Sequence, residues 1–178
     1  MREALARLVA EGLVSREPYR EFRVVGLSVE EIEEILHMRV LLEGWAMELA
    51  AFRISQAELD RMRELLPQME ANSNSESVLT LQNQNRAFHW IAIKAGKKKY
   101  LTKMLTRLWD FMLPYAFAEK DTDSFAQQVK RDRIDHLKLV EALEAGDGKL
   151  ARKILADHVA EGMRALERRA NPSIQSKE

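Results

Sequence analysis

His89, His136 and His158 are three of the four histidines in the chain, and separate helices can aim them at one point. An imidazole offers a nitrogen lone pair near neutral pH, so three converging imidazoles describe a site for a divalent metal ion. Two of them are related through a turn. Gly146-Asp147-Gly148 breaks an otherwise continuous helical pattern, with glycine suited to a left-handed C-terminal position and Asp147 suited to cap the next helix. His136 lies eleven residues before Asp147 and His158 eleven after it. At the helical rise both stand about 16 Å from the turn, level with each other on antiparallel neighbours.

The third histidine brings a partner from its own helix. Asn85 and His89 are four apart and share a face one turn apart. Three imidazoles and an amide oxygen suit zinc, with nickel or another divalent ion as alternatives, whereas all-oxygen cages suit magnesium or calcium. The competing reading is that each histidine is a polar residue satisfied at a helix interface. His37, between Leu36 and Met38, has no spaced partner and is assigned to the surface. Asp132, four before His136, is placed either to orient that ring or on a plain helix surface.

The elements that must position these groups are helical. Glycine and proline are few, and apolar residues recur at threes and fours, which predicts an all-α, antiparallel helical bundle. Ser28-Val29-Glu30-Glu31 and Ser55-Gln56-Ala57-Glu58 are capping boxes that open helices reaching about residues 53 and 69. The first carries Ile32, Ile35, Leu36, Leu42, Trp45, Ala46 and Leu49 as its buried stripe. A third helix runs from about 76 to 95. A fourth places Leu101, Met104, Leu105, Leu108, Trp109 and Met112 on one stripe, until Pro114 bends or ends it. Lys97, Lys98 and Lys99 read as a solvated connection at its start. Asp121 to Ser124 reads as a loop, followed by the hairpin over about 125 to 170. Residues 19–25 alternate in part and predict a short strand or hairpin arm, and the tail from 172 is expected to be loose.

Composition narrows the function. Cysteine is absent, so any metal must be held by nitrogen and oxygen, with no thiolate nucleophile. Lys plus Arg equals Asp plus Glu at 28 each, so overall charge attracts neither nucleic acid nor anionic membrane. No apolar run is long enough for a membrane span and the start lacks the form of a signal peptide, which predicts a cytoplasmic protein. There is no phosphate-binding glycine loop, nucleophile elbow or His-Glu-x-x-His motif.

The opening Arg2-Glu3-Ala4-Leu5 leading to Glu11-Gly12-Leu13 resembles the end of the winged helix-turn-helix of GntR-family transcription regulators. Arg39-Val40-Leu41-Leu42-Glu43 and Asn85-x-x-Phe88-His89, with His136 and His158, are similar to the FadR-type FCD subgroup. The resemblance covers essentially the whole chain. It implies residues 1–27 as a partial winged helix-turn-helix, 28–171 as an FCD-like helical ligand- and metal-binding domain, and 172–178 as tail. It implies a homodimer, DNA as partner of the full-length form, and Asn85, His89, His136 and His158 as metal ligands. Arg2 and Arg20 remain as DNA contacts. The family has two further helices before the recognition helix and an Arg-Gly pair at the wing tip; this chain has Met1 within the third helix and Arg20-Glu21. DNA binding by the chain alone is therefore expected to be impaired.

The subgroup's effector is typically a small carboxylate held beside the metal. Neutral imidazoles and a neutral amide leave the ion its full charge for such an anion, and Arg39 and Arg107 are the candidate guanidinium clamps. For Arg39 the alternative is an ion pair with Glu43. The function expected is that of a ligand-responsive transcription regulator, not an enzyme. The alternatives are a metal-dependent hydrolase, for which Glu161 is the nearest general base, and a fragment that only dimerises.

Overall fold

The computed structural model describes residues 2–10, 12, 14–16, 22–24, 26–72, 78–112 and 122–170. A short helix α1 (Arg2–Ala10) precedes a hairpin of β1 (Val14–Arg16) and β2 (Phe22–Val24), antiparallel with Ser15 opposite Arg23. The body is α2 (Val29–Ala50), α3 (Gln56–Ala71), α4 (Val78–Ala95), α5 (Lys99–Met112), α6 (Thr122–Glu144) and α7 (Gly148–Ala170). Helix α2 packs on α7, α7 on α6, α6 on α3, α3 on α4, and α4 returns to α2, closing a ring that α5 joins through α2. Arg20, Pro114 and the tail from residue 171 lie outside the described residues, as does the side chain of Arg2.

Local chemistry sets the helix ends. Ser28 and Ser55 each accept from the backbone N–H three residues on, and Glu31 and Glu58 return to the cap N–H at 2.7 and 2.8 Å, a device worth about 1 kcal/mol per helix. Gly146 adopts φ +70°, and the Asp147 carboxylate accepts from Leu150 N at 2.9 Å. The turn between α6 and α7 is thus built as its residues require. In the turn before α5, Lys97 takes the left-handed conformation, with φ 54°. Gly96 packs close to α2, where a Cβ would meet Ala46 O at 3.4 Å. Helix α5 accordingly begins at Lys99.

Two expectations are corrected and one strand is added. Helix α6 starts at Thr122, so residues 122–124 are helical rather than loop. Strand β1 has no alternation to announce it, because three residues are too few to show a period. Trp45 is 44% exposed and does not belong to the buried stripe of α2. The inward face runs through Ile32, Ile35, Leu36, Glu43, Gly44, Ala46, Met47 and Ala50, and small residues there let neighbouring helices approach closely. His37 is exposed, its ring Nδ1 2.9 Å from Glu33 O.

The closest approach fixes α7 on α2. A Cβ at Gly148 would lie 2.9 Å from both Cα and O of Glu48, backbone atoms that cannot swing aside. Alanine is the better helix former, but overpacking here outweighs that gain. Gly148→Ala is expected to lose about 1–3 kcal/mol in urea unfolding; equal or greater stability would show that α2 and α7 separate freely.

Candidate metal and effector site

His89 on α4, His136 on α6 and His158 on α7 converge inside the ring. One ligand atom from each lies within 4.8 Å of the others, and the level pair across the α6–α7 hairpin has ring centroids 4.8 Å apart. His89 Nε2 and His136 Nε2 are 3.2 Å apart. Two nitrogens held at about 2.1 Å from one ion at tetrahedral angles are about 3.4 Å apart, so this pair is spaced for a shared metal. Phe88, fully buried, packs its ring 4.4 Å from that of His136 and walls the cluster from the core.

Protonation suits ligation. Burial first, and then the charges of His136, His158 and Arg39, push His89 well below the usual histidine range. Burial followed by His158 does the same to His136. Both rings are neutral at physiological pH and keep a free lone pair. For His158 burial also acts downward, but Asp135 and Asp132 outweigh it and raise the group; Asp135 is lowered in return, chiefly by His158. The two carboxylates stand 3.6 and 3.8 Å from His158 Nδ1. Asp132 therefore faces His158 across the hairpin, whereas the sequence suggested His136 on its own helix.

Orphaned polar atoms give an independent test of fit. Asn85 Oδ1 and the Nδ1 atoms of all three histidines are buried without a hydrogen-bond partner. Buried polar groups are rarely left so. A donor set of three imidazoles with an unsatisfied amide oxygen on the same helix as His89 is the chemistry of a borderline divalent ion, and the cluster can hold a metal.

Helix α2 brings a second pair to this centre. Arg39 Nε donates to Glu43 Oε1 at 2.6 Å, and Trp109 Nε1 donates to the same oxygen at 2.9 Å. The guanidinium carbon sits 4.0 Å over the Trp109 ring, and that ring is 5.5 Å from His89. The ion pair with Glu43 thus exists, and it is buried, with side-chain exposures of 12% and 0%. Arginine four residues before glutamate is the less favoured order for a surface pair, so the reason for it is tertiary. Arg107 is exposed on α5, while Leu105, Leu108 and Trp109 turn inward. Sequence reading missed Glu43 and Trp109 as site residues. Their only signal was the four-residue spacing of Arg39 and Glu43.

Comparison with known proteins places this architecture. Residues 34–161 match the FCD domain. The chain belongs to the FCD family of GntR-type transcriptional regulators. It is 29% identical to the HTH-type transcriptional repressor GlaR of Escherichia coli over 89% of this chain and 74% of that protein. It is 27% identical to the HTH-type transcriptional regulator McbR of the same organism, over 96% and 77%. The solved structure of E. coli McbR/YncC superposes with a TM-score of 0.84 at 25% identity, covering 95% of this chain and 84% of that one. These relatives are regulators rather than enzymes, which removes the hydrolase reading of the histidine cluster. No helix among the described residues is long and apolar enough to cross a membrane.

The buried pair should dominate local stability. Glu43→Ala leaves Arg39 and Trp109 N–H without their acceptor and is expected to cost about 2–4 kcal/mol. Glu144→Ala, which removes the exposed 2.6 Å pair with Arg63, should cost less than about 1 kcal/mol. Chemical denaturation of both variants checks the contrast, and comparable losses would contradict it.

Proposed function

We propose that the chain is a ligand-responsive transcriptional regulator whose helical domain binds one divalent metal ion, zinc foremost, together with a small carboxylate effector. The observation that carries this reading is the convergence of two buried imidazoles and a half-buried one beside a half-buried arginine whose Nε edge and face are held by protein. His89, His136 and His158 would hold the ion, with Asn85 as a further donor. When bound, the ion supplies positive charge and an open coordination position for an anion. Arg39 supplies direction: its only hydrogen bond among the described residues is made through Nε, which leaves the terminal nitrogens to pair with a carboxylate. Exposed Arg107 is the weaker candidate for that role.

Metal and effector can be tested together. Protein prepared without chelator should carry about one divalent ion per chain, and His136→Ala or His158→Ala should lose most of it, as read by elemental analysis. Citrate, as a probe carboxylate, should raise the melting temperature of metal-loaded protein, because a ligand that binds only the folded state stabilises it by mass action. Stripping the metal or substituting Arg39→Ala should shrink that shift. Equal shifts with and without metal would mean that the anion binds elsewhere.

A homodimer fits the exposed apolar surface. Helix α2 exposes Met38, Leu41 and Trp45 at helical spacing, and α5, packed against α2, exposes Tyr100 and Met104. Light scattering at micromolar concentration should give twice the chain mass, and a monomer would count against this assignment. DNA is proposed as a further partner, with Arg2 and Arg20 as the contacts.

A further inference from the structure

Glu43 is a fully buried carboxylate with two differently employed oxygens. Oε1 accepts from Arg39 Nε at 2.6 Å and from Trp109 Nε1 at 2.9 Å. With the guanidinium also lying 4.0 Å over the indole, Arg39 is fixed by one edge and one face. Oε2 is buried without a hydrogen-bond partner and lies 4.0 Å from His89 Nδ1, which is equally buried and unpartnered. Closing that gap would give each atom the partner it lacks. A neutral imidazole carries one N–H, and a carboxylate can only accept. The two orphaned atoms satisfy each other when Nδ1 bears the proton, which leaves the lone pair on Nε2, the atom 3.2 Å from His136 Nε2.

Resting on the reading of the histidines as a metal centre and of Arg39 as the effector's anchor, we propose that Glu43 is the positioning residue that joins the two. Oε2 sets His89 in the Nδ1–H tautomer so that Nε2 faces the metal. Oε1 holds the Arg39 fork toward the effector. Ligating histidines commonly donate their second nitrogen to a carboxylate in this way. Here the same carboxylate also orients the anion clamp, so metal affinity and effector affinity fall together when it is altered.

The test substitutes Glu43→Gln, which keeps the shape. The two donors at Oε1 select the amide oxygen, turning the NH2 toward His89 Nδ1 and favouring the opposite tautomer. Long-range 1H–15N spectra of metal-free protein should show His89 as Nδ1–H in the wild type and Nε2–H in the variant. Zinc affinity by chelator competition should fall roughly ten- to a hundredfold, and the citrate-induced thermal shift of zinc-loaded protein should shrink, while the dichroism spectrum stays unchanged. A purely structural Glu43 would lower the melting temperature and leave tautomer and zinc affinity alone. Zinc binding by the variant within about twofold of wild type overturns the assignment of Glu43 alone; wild-type protein that takes up no zinc overturns the metal reading and this proposal together. The wild-type tautomer needs no variant, and an Nε2–H His89 there refutes the proposal even if Glu43→Gln fails to fold.

Discussion

Three imidazoles packed together inside a ring of helices impose the constraint from which the rest of the site follows. His89 and His136 are buried and His158 is half-buried, and a buried polar atom without a partner costs on the order of 1–3 kcal/mol. The fold meets part of this demand internally, through the 3.2 Å approach of His89 to His136 and the carboxylates beside His158. It leaves Nδ1 of His89 and His136 and Asn85 Oδ1 without a hydrogen-bond partner among the described residues. These unpaired groups in the middle of the ring are the observation on which the proposed metal site rests.

The charges around the cluster are not arranged evenly. On the hairpin side, Asp132 and Asp135 raise His158 and are partly exposed. On the α2 side, Glu43 is enclosed and balanced by Arg39, so the pair adds almost no net charge while fixing two directions. An ion pair in this setting contributes geometry more than stability, because desolvating both partners offsets their attraction. The exposed pairs Arg63–Glu144 and Arg133–Glu70, which tie α3 to α6, fix no binding group and are screened by solvent.

Much of the scaffold was legible because its signals are local. The two capping boxes, the left-handed Gly146 and the Asp147 cap act within four residues, and each formed where its side chains require. The level placement of His136 and His158 followed from helical rise alone. What failed was whatever a neighbouring element decides. Trp45 has the apolarity of a core residue, yet the inward face of α2 goes to Gly44, Ala46 and Met47, because α7 approaches too closely to admit an indole. Asp132 was one helical turn from His136, but the hairpin turned it toward His158.

By itself the sequence determined the helical architecture, the hairpin that levels two histidines and the family resemblance, since periodicity, caps and spacing are properties of one stretch of chain. It could not say whether Arg39 and Glu43 were an ordinary surface pair or an enclosed pair beside His89. Only the closure of α2, α4, α6 and α7 around a common interior decided that point. Burial, the partner across the core and the direction of a proton depend on atoms more than forty residues apart in the chain, and no local pattern encodes them.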